Sequence, residues 1–151
     1  MPTYEGYRVR SVLVRENEDR PRVELRTGQA VSDFMRSLGD ADREYFCVIL
    51  LNSQGEVIGV EEVSIGDLTG TLAGPPEVFR SALLAGTFTV VLVHNHPSGN
   101  LSFSPQDIQL TKRLYEVGRL LHIPVYDHVL ITSSGYLSMR EQGFITVISA
   151  V

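Results

Sequence analysis

The chain has 151 residues, 43% hydrophobic and 21% charged, a balance that fits a soluble globular domain and excludes wholesale disorder. Its single cysteine, Cys47, rules out an intramolecular disulfide and any zinc module built from several thiolates. Lys plus Arg number 13 against 18 Asp plus Glu, and the net charge of −5 gives no global steering towards phosphates.

The first segment, Arg8 to Val14, alternates imperfectly and reads as a strand running into the mixed-sign stretch Arg15–Arg22, a solvated hairpin loop. Ala30, Val31, Phe34 and Leu38 recur at helical spacing until Gly39. Tyr45 to Leu51 is a nearly continuous apolar run suited to a strand buried on both faces. Asn52-Ser53-Gln54-Gly55 supplies a turn, and Val57 to Val60 forms its partner strand. Pro75-Pro76 opens a helix with an apolar stripe of Val78, Phe79, Ala82 and Leu83. Thr87 to Val93 reads as a buried strand, Pro105 to Leu121 as a helix facing inward through Leu110, Leu114, Val117 and Leu121, and Pro124 to Thr132 as another strand. A turn at Ser133-Ser134-Gly135 leads to a short strand from Tyr136 to Met139. The predicted class is α/β, one mixed sheet flanked by helices. No apolar run approaches the ~20 residues of a membrane-spanning helix. The first residues lack a signal peptide's basic start and apolar core, so a cytoplasmic location is expected.

His94 and His96 flank Asn95 at the end of a predicted strand, where residues two apart face the same side. Pro97-Ser98-Gly99-Asn100 ends that strand and leaves both imidazoles at a solvent-reachable edge. Asp107 follows at the start of the next helix. Two imidazoles and one carboxylate leave a fourth tetrahedral position for water, the catalytic pattern for zinc. Ser104-Pro105-Gln106-Asp107 is equally an N-terminal capping signal, with serine at the N-cap and an acid three residues on. The two roles are compatible, since a cap fixes the helix end that presents Asp107. The contiguous His94-Asn95-His96 is not the nuclease signature of that spelling, which draws its residues from separate elements. Zinc deaminases are excluded, because their pattern needs cysteines absent here.

The pattern His94-x-His96, seven residues, then Ser104-x-x-Asp107 resembles the JAMM metallohydrolase motif. With Val93 to Gly99 around it, Leu51-Asn52, Pro75 to Phe79 and Asp127-His128, the chain resembles the RadC branch of that family from about Asp42 to Gly143. The resemblance implies a JAB/MPN-type fold, related to cytidine deaminases, with zinc held by His94, His96 and Asp107 plus a water. It further implies an upstream glutamate as general base, for which position favours Glu44 over Glu61 and Glu62, and an oxyanion-stabilising role for Ser104. The implied activity is zinc-dependent hydrolysis of peptide or isopeptide bonds in a peptide or protein substrate.

Residues 41–151 are then the metallohydrolase domain. Residues 1–40 form a strand, loop and helix arm packed on it, too short for the helix-hairpin-helix region that precedes the domain in full-length RadC proteins. Nucleic-acid phosphodiester hydrolysis would need a basic groove, to which Lys112, Arg113 and Arg119 could contribute; the acidic charge argues against it. A non-catalytic interaction module is the other alternative. Asp127 and His128 are strand neighbours, so at most one faces the zinc, and either an orienting role for Asp127 or a structural hydrogen bond fits. Cys47 reads as an inert core residue and His122 as ordinary. Specificity is expected in the loops Ile65–Gly74 and Pro97–Phe103 and in the arm; substrate and oligomeric state carry no readable code.

Overall fold

The apolar run Tyr45–Leu51 forms β1, and past Tyr45 every side chain in it is buried. Residues of alternating parity face two separate cores: Phe46, Val48 and Leu50 one way, Cys47, Ile49 and Leu51 the other. Each such side chain removed from water contributes roughly 1.5–3 kcal/mol, which is why the run is apolar without interruption. These elements come from a computed structural model that describes residues 19–65 and 74–145. The strand expected at Arg8–Val14 and most of the loop Ile65–Gly74 lie outside the described residues.

The five-stranded sheet has the order β2 (Val57–Ile65), β1, β3 (Thr89–Asn95), β4 (Val125–Thr132), β5 (Gly135–Ser138). Its only parallel pair among these is β3 with β4, joined through α3 (Pro105–Leu120), so the sheet is mixed as expected. The turn between β1 and β2 is built by Asn52, whose Oδ1 accepts from the amides of Gln54 and Glu56, and by Gly55 at φ 78°. Residues Val23 and Leu25 bond to Val57 and Gly55, adding a short bridge beside the start of β2.

Helix α2 (Pro75–Leu84) and α3 cover the Phe46 face, while α1 (Gly28–Phe34) and a 3-10 turn (Arg36–Asp40) cover the Cys47 face. Three apolar stripes differ from expectation. The helix predicted through Leu38 stops at Phe34, and the 3-10 turn resets its phase, so Leu38 is buried while Phe34 is exposed. On α2, Val78, Phe79 and Ala82 are buried, but Leu83 is exposed. On α3 the buried residues are Asp107, Thr111, Leu114 and Gly118; Leu110 and Val117 are only partly covered, and Leu121 is exposed. The inward stripe of α3 is therefore polar over its first two turns, because those turns face the end of β3.

Candidate metal centre

β3 carries Leu92 and His94 on the face covered by α3, and His96 follows just past the strand end. The His96 amide still bonds to the Ile131 carbonyl at 3.3 Å, so the extended line continues one residue beyond β3. This brings the Nε2 atoms of His94 and His96 to 3.1 Å from each other. Asp107 Oδ2, arriving from α3, lies 3.4 Å from His94 Nε2 and 3.6 Å from His96 Nε2. Glu44 Oε1, from the residue before β1, lies 3.8 Å from His96 Nε2. Ligand atoms of Glu44, His94 and His96 all fall within 4.8 Å of one another, a group able to hold a metal ion. Four residues picked from sequence, drawn from three separate segments, are thus brought together. Glu61 and Glu62, on β2, do not belong to that group.

The two imidazoles are not equally accessible. His94 is fully buried, whereas the His96 side chain keeps 15% of its surface in solvent. The expectation that both sit at a solvent-reachable edge is corrected: the rings of Phe103, 6.1 Å from His94, and of Phe46, 5.9 Å from His128, wall off the inner side.

Ser104 and Asp107 form a complete capping box. Ser104 Oγ accepts from the Asp107 amide at 3.1 Å, and the Ser104 amide donates to Asp107 Oδ2 at 2.8 Å. The oxygen facing the histidines is the one the cap holds, so cap and cluster are one arrangement. Burial alone would raise the Asp107 pKa, but the neighbouring His94 ring and the Ser104 donors outweigh it and hold the carboxylate well below its ordinary range.

The outer nitrogens of both rings are also occupied. His96 Nδ1 lies 2.8 Å from the Asn100 carbonyl, which can only accept, so His96 carries its proton there and turns an Nε2 lone pair to the cluster. His94 Nδ1 lies 2.7 Å from His128 Nε2, and His128 Nδ1 lies 2.5 Å from Thr111 Oγ1. Burial, then the neighbouring His94, pushes the His128 pKa well below its ordinary value, with Asp107 opposing.

Of the pair Asp127-His128, one does face the cluster, and it is His128. Asp127 is a structural acceptor: it takes the Ser138 hydroxyl at 2.5 Å, the His128 amide at 2.7 Å and the Arg140 amide at 2.9 Å. Burial raises its pKa above the ordinary range despite these donors. Two residues escaped the sequence reading, Thr111 and Asn95, while the sequence leaves the choice between Asp127 and His128 open. Asn95 Oδ1 accepts from the Tyr45 amide at 2.7 Å and its Nδ2 donates to the Arg43 carbonyl at 2.8 Å, bracketing Glu44. A polar residue inside a motif conventionally written "x" was the available signal. Lys112, Arg113 and Arg119 stand exposed on α3, outside its buried stripe of Asp107, Thr111, Leu114 and Gly118.

A mixed five-stranded sheet with three helices, carrying His94, His96, Asp107 and Glu44 at the end of β3, defines an α/β domain of the JAB/MPN type with a candidate metal centre. The RadC-like JAB domain family matches residues 25–144, and the chain belongs to that family. Similar relatives include UPF0758 proteins of Symbiobacterium thermophilum (43% identical over 126 residues, 83% of this chain and 54% of the relative) and Alkaliphilus metalliredigens (47% over 100 residues, 66% and 43%). A third, from Methanosarcina acetivorans, is 42% identical over 103 residues, 68% of this chain and 45% of the relative. The chain spans about half the length of the curated relatives it matches. Among the described residues no helix is long and apolar enough to cross a membrane.

Proposed function

We propose that this chain is a zinc-dependent hydrolase of peptide or isopeptide bonds, with His94, His96 and Asp107 as ligands, Glu44 as general base and Ser104 as oxyanion donor. The observation that carries the reading is the triangle of donor atoms, with sides of 3.1, 3.4 and 3.6 Å. Ligand atoms around a tetrahedral zinc with bonds of ~2.0–2.1 Å stand roughly 3.3 Å apart, so the residues fit the ion in chemistry and in spacing. Asp107 is nearer to both imidazoles than Glu44 is to His96, which leaves Glu44 free to handle protons.

Zinc held there would supply Lewis acidity, polarising a scissile carbonyl and lowering the pKa of water to about 7. Glu44 takes a proton from the attacking water and returns it to the leaving amine. Ser104 Oγ accepts from the Asp107 amide, and its own proton remains available to a carbonyl oxygen acquiring negative charge. The Phe46 and Phe103 rings keep the inner side of the cluster dry, which strengthens each of these interactions.

The deciding experiment combines zinc stoichiometry with a cleavage screen over peptides and isopeptide-linked conjugates, comparing wild type with Glu44→Gln. The variant is expected to retain zinc while cleavage falls by ~10²–10⁴-fold. A wild-type protein that takes up no zinc, or undiminished cleavage by Glu44→Gln, would overturn the assignment.

A further inference from the structure

We propose that Thr111 and His128 are positioning residues that fix which nitrogen of His94 carries its proton, and so hold His94 Nε2 ready as a metal ligand. The inference rests on the metal-site reading above and adds two residues to it.

The position of each proton fixes the sense of the next hydrogen bond. Thr111 Oγ1 lies 2.7 Å from the Asp107 backbone carbonyl and 2.5 Å from His128 Nδ1. A carbonyl oxygen only accepts, and a hydroxyl has one proton to give, so the Thr111 proton goes to Asp107. Thr111 then meets His128 Nδ1 as an acceptor, which requires the proton of His128 to sit on Nδ1. The His128 ring is fully buried, and neither ring nitrogen bonds to a carboxylate, so Nε2 is left as a lone pair. That lone pair lies 2.7 Å from His94 Nδ1, which must therefore donate. His94 Nε2 is left to face His96 and Asp107.

The opposite sense fails at its first link. If Thr111 donated to His128, the hydroxyl and the Asp107 carbonyl would face each other as two acceptors at 2.7 Å. His128 would then donate from Nε2, and His94 would carry its proton on the nitrogen that faces the other ligands. The relay also joins two ligands by a second route, because it begins at the Asp107 backbone and ends on the His94 ring. A buried imidazole takes the place commonly held by a carboxylate or carbonyl behind a metal-bound histidine.

Two measurements test this. Long-range ¹H–¹⁵N correlation on the metal-free wild-type protein reads the His128 tautomer directly and needs no variant. The proton is expected on Nδ1, and a proton on Nε2 overturns the relay. Zinc affinity, measured by competition with a chelator, is expected to fall ~10–100-fold in Thr111→Val, which keeps the side-chain shape but removes the hydroxyl. Thr111→Ser, which keeps the hydroxyl, is expected to restore it. Wild-type affinity in a folded Thr111→Val protein overturns the proposal. If the wild-type protein binds no zinc, the hydrolase reading fails, and the His128 tautomer still decides the relay.

Discussion

Asp107→Asn separates the two duties of one oxygen. In the metal-free protein the substitution keeps an acceptor for the Ser104 amide, now 2.8 Å from Oδ2, and loses the charge at the start of α3 and beside the two histidines. A carboxylate in the first turn is worth ~0.3–1 kcal/mol against the helix dipole. In a domain of this size the dipole contribution alone shifts Tm by at most about 2–4 °C, and the lost pairing with His94 adds to it. Zinc gives a different result. At a free concentration one hundred times Kd, an ion that binds only the folded state stabilises it by ~2.7 kcal/mol. Wild type is therefore expected to gain roughly 5–10 °C. Changes one layer out from a metal weaken it by ~10–100-fold, so loss of the one anionic ligand costs at least ~100-fold. The same zinc concentration then adds only ~0.4 kcal/mol, about 1 °C. Thermal unfolding of both proteins with and without zinc reads all four values. An equal zinc shift in both would reduce Asp107 to a helix cap and refute the ligand assignment.

Two further outcomes follow from the core. Cys47 is buried, and burial, then the charge of Glu62, pushes its thiol pKa up to about 11; Ellman's reagent is expected to be inert towards the native protein at pH 8 and to react at once in guanidinium, and rapid native labelling would contradict this burial. Gly118→Ala would gain ~1 kcal/mol of helix propensity but place a methyl 2.6 Å from the Ile123 carbonyl oxygen, a clash that costs ~1–3 kcal/mol, so a net loss of up to ~2 kcal/mol in urea unfolding is expected, and a stabilised variant would show that the approach of α3 to β4 is slack.

The elements that could be read from sequence are those whose neighbours are all apolar or whose ends are chemically marked. β1 is continuous because it is buried on both faces, and α3 begins at Ser104 because a serine, a proline and an acid cap it. The two histidines and the aspartate were legible for the same reason: their spacing sits on a strand end and a helix start. What escaped was polar and inside. Periodicity counts only apolar residues, so the inward stripe of α3 was placed on Leu110, Leu114, Val117 and Leu121, whereas Asp107 and Thr111 hold its first turns. Alternation limited Asp127 and His128 to one inward residue, yet it could not choose between them without the register of β4 against β3. The tertiary bonds of Asn95 reach back to Arg43 and Tyr45, a distance in sequence that no local pattern spans.

That last pair of bonds gives the strand end a second use. Two of three successive residues face the candidate metal centre, and the middle one grips the chain on either side of Glu44. The backbone of the glutamate is thus gauged from the same strand that carries the imidazoles, and only its side-chain torsions remain to be set. A clamp with one jaw on each flanking residue measures length. The stretch Arg43-Glu44-Tyr45 can exchange side chains at its flanks without moving the carboxylate, but one inserted residue would throw it out of gauge while leaving His94, His96 and Asp107 where they are.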